Sequence, residues 1–222
     1  DDILQIEAIF MGQAGLLELN TIPERYQKDA LNDGYFAKLR NEYKYLAHKF
    51  NLTPMDYRQW RFLRLRPQNF PHIRISQLAH LYYQRKAGLS QLVEAASVED
   101  AKKVLATAVT PYWETHYTFG STSVRNDKNL SPFSLNLLCI NTVVPILFAY
   151  GRHRGEEKYC DRAFDFLEQL RPENNYIIRL WQQSGLVVDN AGDSQALIQL
   201  KKEYCDKKEC LRCRFGYEYL KL

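Results

Sequence analysis

Apolar residues recur along most of the chain at intervals of three and four, the spacing of a buried helix face, and strand-like alternation is scarce. Ile3, Ile6, Phe10, Leu16 and Leu17 predict an amphipathic helix over 3–19. Thr21 predicts a cap for the next helix, with Pro23 inside its first turn. Phe36, Leu39, Tyr43, Leu46 and Phe50 lie on one stripe of a helix over 35–50. A helical segment is expected over 56–65, stopped by "RPQNFP", because Pro67 and Pro71 restrict themselves and the residues before them. Helices are predicted next over about 73–85 and 98–109, the second opened by the capping pattern "SVED".

The polar stretch "TFGSTSVRNDKNLSP" reads as a linker or loop, and residues 118–131 mark a place where one helical domain could be subdivided. Four further helices are expected over 132–150, 156–170, 174–184 and 193–205, with Asp193 as the N-cap of the last. The run "LNLLCINTVVPILFAY" is too short to span a bilayer comfortably, so it reads as a central buried helix. Pro145, which cannot donate to the carbonyl of Asn141, should kink it. The predicted fold class is all-α, a multi-helical domain with a kinked central buried helix.

With 45% hydrophobic and 13% aromatic residues, the chain has ample material for a core. The opening "DDILQIEAIF" lacks the basic region of a signal peptide. It enters an amphipathic pattern without an initiator Met, as expected of a piece of a longer or processed protein. Five cysteines without an export signal argue for a reducing compartment, so the expected location is cytoplasmic, with no membrane partner.

The formal charge of +4 conceals an uneven distribution. No Asp or Glu occurs between Tyr57 and Val93, while Arg58, Arg61, Arg64, Arg66, Arg74, Arg85 and Lys86 all fall there, leaving the remainder net acidic. If 56–66 is helical, Arg58, Arg61 and Arg66 approach one face, and Asn69, His72 and Arg74 follow in a Pro-bracketed loop. Arginine forks suit phosphate, and adjacent aromatic rings can stack on unpaired bases. An anionic partner, nucleic acid first, is therefore expected at Arg58, Arg61, Arg66, Asn69 and Arg74. The competing account pairs these arginines with acids such as Glu94, Glu99 or Asp100.

"YCDKKECLRC" places Cys205, Cys210 and Cys213 within ten residues. Such a group suits zinc if a fourth ligand joins it, with Cys160 the first candidate and His153 or His116 as substitutes. An iron–sulfur cluster is a second option. Three ordinary reduced thiols, or a redox or disulfide pair, complete the alternatives. Lys207, Lys208, Arg212 and Arg214 would favour thiolates. Catalytic signals are weak. Glu114 and His116 in "YWETHY" are the best acid–base candidates, although aromatic packing of a single turn is the stronger account of them.

"GQAGLLE", "WRFLRLRPQNFPHIRISQLA", "NTVVPILFAYG" and "DSQALIQLKKEYCDKKECLRCRFG" together resemble the C-terminal half of an uncharacterised bacterial family, DUF2851. The resemblance implies a missing N-terminal half whose acidic and histidine motifs suit a metal-dependent nuclease-like core. It assigns no catalytic role to the residues quoted. Beside anion binding, two other roles are then expected of the chain: a non-catalytic scaffold docked on that N-terminal domain, or a metal- or iron–sulfur-containing accessory domain in nucleic-acid processing.

Overall fold

The structure, a computed structural model, describes residues 2–84 and 88–220, so Arg85 and Lys86 of the basic stretch lie outside it. The chain forms two compact units, residues 1–88 with 104–131 and residues 89–103 with 132–222. The polar stretch ends where the first unit passes into the second. Among the described residues the fold is all-α apart from one two-stranded ribbon.

The first unit contains α1 (Ile3–Gln13), α2 (Glu24–Leu31), α3 (Gly34–Phe50), α4 (Pro71–Tyr83) and the short α7 (Pro111–Glu114). β1 (His116–Thr118) and β2 (Ser121–Thr122) form its antiparallel ribbon. α1 is shorter than its apolar pattern suggested. Gly15 takes a left-handed φ of +69°, where a Cβ would also strike the Met55 carbonyl at 2.4 Å, so the helix stops and Met55 N–H bonds Gln13 O. Thr21 does not cap α2. Its hydroxyl turns back to the Glu18 carbonyl at 2.6 Å, and Pro23 takes the capping position. Asp33 caps α3, accepting from the backbone of Tyr35 and Phe36. The core joins Met11, Leu16, Phe36, Leu39, Ile73, Trp113 and Phe119.

The second unit begins with α5 (Leu89–Glu94) and most of α6 (Val98–Leu105), where Ser97 accepts from Asp100 N–H as "SVED" predicts. It continues with α8 (Pro132–Leu138), α9 (Val144–Arg154), α10 (Glu157–Gln169), α11 (Tyr176–Gln183), α12 (Ala191–Leu200) and α13 (Arg214–Leu220). α8 and α9 are joined by a π-helical segment, Cys139–Val143, whose capping Val144 N–H donates to Cys139 O. This widened hydrogen bonding lies just before Pro145, the residue at which a kink was expected.

Together these segments make a 23-residue helix, Pro132–Arg154, long and apolar enough by length and composition to cross a membrane. It extends further than the apolar run alone suggested. Only 28% of its apolar window is buried, so it is a one-sided rather than a fully buried helix. Cys139, Ile140, Val143, Val144 and Leu147 turn inward, and Phe133 and Phe148 remain exposed. The N-cap of α12 is Asn190, which accepts from Asp193 N–H at 3.0 Å, and not Asp193 itself. The Asp193 carboxylate in turn accepts from Asp189 N–H, so side chain and backbone bond each other across the first turn.

His72, in α4, is fully buried against Phe62, Trp113 and Phe119, and neither ring nitrogen has a hydrogen-bond partner among the described residues. Burial lowers its pKa from 6.5 to about 3, so the ring is neutral in the fold. The unfolded chain takes up a proton below 6.5 that the folded chain refuses until about 3. Stability therefore falls as pH drops across that window, by up to about 1.4 kcal/mol per pH unit from this residue. In urea unfolding across pH 3–7, the stability difference between wild type and His72→Phe should shift in favour of the variant as pH falls. A constant difference would show that the ring takes up its proton in the fold as readily as in the unfolded chain.

Candidate nucleic-acid interface

The segment expected as a helix over 56–65 is not one. A 3-10 turn at Tyr57–Gln59 gives way to extended chain, a tight turn closed by Leu65 N–H to Phe62 O, and a second 3-10 turn at Pro67–Asn69. The reason is a two-residue alternation at its start. Trp60 and Phe62 point inward while Arg61 and Leu63 point out, which suits extended backbone rather than a helix stripe. Trp60 Nε1 donates to Ala14 O at 2.8 Å, and Phe62 packs edge-on against Phe70 with centroids 5.6 Å apart. The aromatic side chains are thus anchors. Trp60, Phe62 and Phe70 are each half-buried against the core.

The candidate anion-binding residues divide into two groups. Arg58 forks the Asp56 carboxylate, with its terminal nitrogen at 2.6 Å. Arg74 is half-buried and donates to Asn69 Oδ1 at 2.6 Å and Gln77 Oε1 at 2.9 Å, so Asn69 and Arg74 brace the loop base. Arg61, Arg64 and Arg66 are exposed and form no ion pair among the described residues. Arg64 stands at the turn with φ of 66°, a left-handed conformation costly for a side chain of its size. Leu63 beside it is 85% exposed. Two of the acids considered as internal partners are engaged elsewhere, Glu99 with Lys102 and Asp100 with Lys103.

Glu114 and His116 each engage other partners. Glu114 pairs with Arg125 at 2.7 Å, while His116 stacks on Tyr112 with centroids 4.0 Å apart and sets Nδ1 2.9 Å from the Tyr112 carbonyl. Lys128 organises this turn from beneath, its Nζ donating to the carbonyls of Trp113, Glu114 and His116.

Sequence reasoning missed a buried polar cluster. Glu7 is completely buried, and its carboxylate accepts from Tyr35 Oη at 2.6 Å, Thr110 Oγ1 at 2.9 Å and Trp113 Nε1. Burial raises its pKa, and the three donors oppose that rise. Ser76 Oγ extends the cluster, 3.2 Å from Thr110 Oγ1. The signal was an acid one turn from both Ile3 and Met11 on the inner face of α1. Sealed from solvent, the cluster fixes packing and offers no entry to a substrate.

In the second unit, Cys205, Cys210 and Cys213 line one apolar pocket of about 250 Å³ with Trp181, Leu197 and Phe215. From Cys210 the chain runs as a 3-10 turn, Cys210–Arg212. Cys160 does not line this pocket. It lies on α10 with its thiol 3.6 Å from the Phe148 carbonyl. His153 is exposed near the end of α9, and His116 belongs to the other unit. Among the described residues no group of three or more His, Cys, Asp or Glu is disposed to hold a metal ion. A larger open cleft of about 620 Å³ runs between α10 and α12, lined by Glu168, Asn190, Asp193, Lys202 and Glu203.

Residues 1–176 match the family model described as "Protein of unknown function (DUF2851)". The chain belongs to this family. No curated protein and no solved structure matches it. The DUF2851 match covers the arginine loop and the Glu7 cluster, and ends before the cysteine pocket. Within the matched region, Lys128→Met removes the donor to three carbonyls and should destabilise the protein by about 2 kcal/mol or more. Thermal unfolding measures this loss, and a change below about 0.5 kcal/mol, the scale of an ordinary surface substitution, would mean that solvent replaces the ammonium there.

Proposed function

We propose that this DUF2851 chain binds nucleic acid through the phosphate backbone, using Arg61, Arg64 and Arg66. The observation that carries this reading is three exposed guanidinium groups, without ionic partners among the described residues, on a loop held by Trp60, Phe62 and Phe70. Anchoring lowers the entropy lost when the arginines engage a ligand. Because the nearby rings face inward, affinity comes from phosphate contacts, which position without reading sequence. Arg74, held by the neutral Asn69 amide, adds positive field, whereas the Asp56 carboxylate offsets Arg58.

A second reading is favoured by Leu211, Phe215, Tyr219 and Leu220, all more than half exposed near the C-terminus. These residues suit docking on another protein domain, such as an N-terminal domain of a longer chain.

Fluorescence anisotropy with a labelled 20-base-pair duplex and the matching single strand tests the first reading. Affinity should fall steeply with salt, and duplex and single strand should differ little at low salt. Arg61→Gln with Arg66→Gln should weaken binding about tenfold and flatten the salt slope by up to about 0.9 for each phosphate no longer neutralised. Arg64→Gly adds a control, since it removes a charge while relieving the left-handed strain. Binding unchanged in the Arg61/Arg66 variant, or absent at low salt, removes the proposal.

A further inference from the structure

Cys210 and Cys213 stand at the two ends of one 3-10 turn, closed by Cys213 N–H to Cys210 O at 3.2 Å. A turn closed in this way holds its end Cα atoms within about 7 Å, and a disulfide commonly spans about 4.4–6.8 Å between them. The two thiols differ in access. Cys210 is exposed, whereas Cys213 is 7% exposed. Gly216 fixes this difference: a Cβ there would lie 2.3 Å from the Cys210 carbonyl, so only glycine lets the first turn of α13 close over Cys213. Trp181, Leu197, Leu200 and Phe215 complete an apolar wall beside both thiols and Cys205.

Three of the four cations expected to favour thiolates are engaged: Lys207 with Glu203, Arg212 with Glu209 and Arg214 with Glu218. Exposure, rather than a collar of free positive charge, therefore distinguishes Cys210 from Cys213. One accessible thiol and one sheltered thiol, at opposite ends of a single turn, form the arrangement needed for a two-step exchange.

We propose that Cys210 and Cys213 are a reversible dithiol–disulfide pair that exchanges with low-molecular-weight disulfides, Cys210 attacking and Cys213 resolving. With oxidised glutathione, the Cys210 thiolate attacks one glutathione sulfur and breaks the glutathione S–S bond. A mixed disulfide forms and one glutathione thiolate leaves. The Cys213 thiolate then attacks Cys210 Sγ, forming the intrachain disulfide and releasing the second glutathione. Two protein thiols are oxidised, one glutathione disulfide is reduced, and the two protons end on the two glutathione thiols. Cys205, at the end of the π-helical segment Lys201–Cys205, shares the pocket but takes no part.

The test equilibrates the full chain, anaerobically and with a chelator, in buffers of varied reduced and oxidised glutathione, then traps free thiols by alkylation for peptide mass spectrometry. Free thiols should fall from five to three, with a 210–213 cystine that reduced glutathione reverses. Cys213→Ser should accumulate a glutathione adduct on Cys210, and Cys205→Ser should oxidise as wild type does. Cys210 should be alkylated at least about tenfold faster than Cys213. The new disulfide should quench emission from Trp181, and the change should vanish in Trp181→Phe. The proposal is overturned by a product that joins Cys205 to either partner. Five thiols persisting in oxidising buffer, or one metal ion per chain protecting all three cysteines when the chelator is omitted, would overturn it equally.

Discussion

A carboxylate with no access to water must find its hydrogen bonds inside the protein, and Glu7 draws them from separate stretches of chain. Tyr35 reaches it from α3, while Thr110 and Trp113 reach it from the turn around α7. Removing any one donor leaves a buried acceptor short of a partner, at a cost of about 1–3 kcal/mol. Displacing the carboxylate from all three costs considerably more. Nonpolar packing alone would tolerate several placements of α1 against its neighbours. The carboxylate accepts one, because a shift of a single residue swings it by about 100° around the helix axis.

The basic loop inherits this constraint through a chain of ring contacts. Trp113, tied to Glu7, lies 5.4 Å from the His72 ring; His72 lies 5.7 Å from Phe62; and Phe62 adjoins Arg61 and Leu63 in sequence. A neutral imidazole in the middle of this chain, without a hydrogen-bond partner among the described residues, behaves as an aromatic spacer rather than as an acid or base. Trp60 supplies an independent tether by bonding Ala14 O, just beyond the end of α1. The exposed arginines therefore sit on a segment without regular helix but with two attachments to the core.

How far this was legible from sequence depends on the period and range of each interaction. The helices could be read because their apolar stripes and caps are local: "SVED" specifies the Ser97 cap, and the stripe on α3 stays within one element. Gly15 ended α1 early through a left-handed backbone that hydrophobic periodicity does not encode. The arginine segment misled because its inward Trp60 and Phe62 follow a period of two within a stretch otherwise compatible with a helix. The Glu7 cluster joins residues more than a hundred positions apart, so sequence could mark the anomalous acid but not its donors. The cysteines were visible as a group. Their division into exposed Cys210 and sheltered Cys213 required the turn and the close approach of Gly216.

The contrast between the arginine loop and the rest of the surface follows from composition as much as from fold. Elsewhere many exposed cations meet an acid a few residues away: Lys103 with Asp100, Lys158 with Glu156, Lys207 with Glu203, Arg212 with Glu209 and Arg214 with Glu218. Such pairs are local products of helical or turn spacing, and each one mutes the field that a distant anion would meet. From Tyr57 to Val93 no acid is available for them, and Arg58 meets a carboxylate only because Asp56 precedes the stretch. The intervening turn places Arg61, Arg64 and Arg66 in solvent, and the absence of acids along this stretch denies them local partners. Fold and composition therefore act on the same three side chains, leaving them exposed and without an ion pair among the described residues.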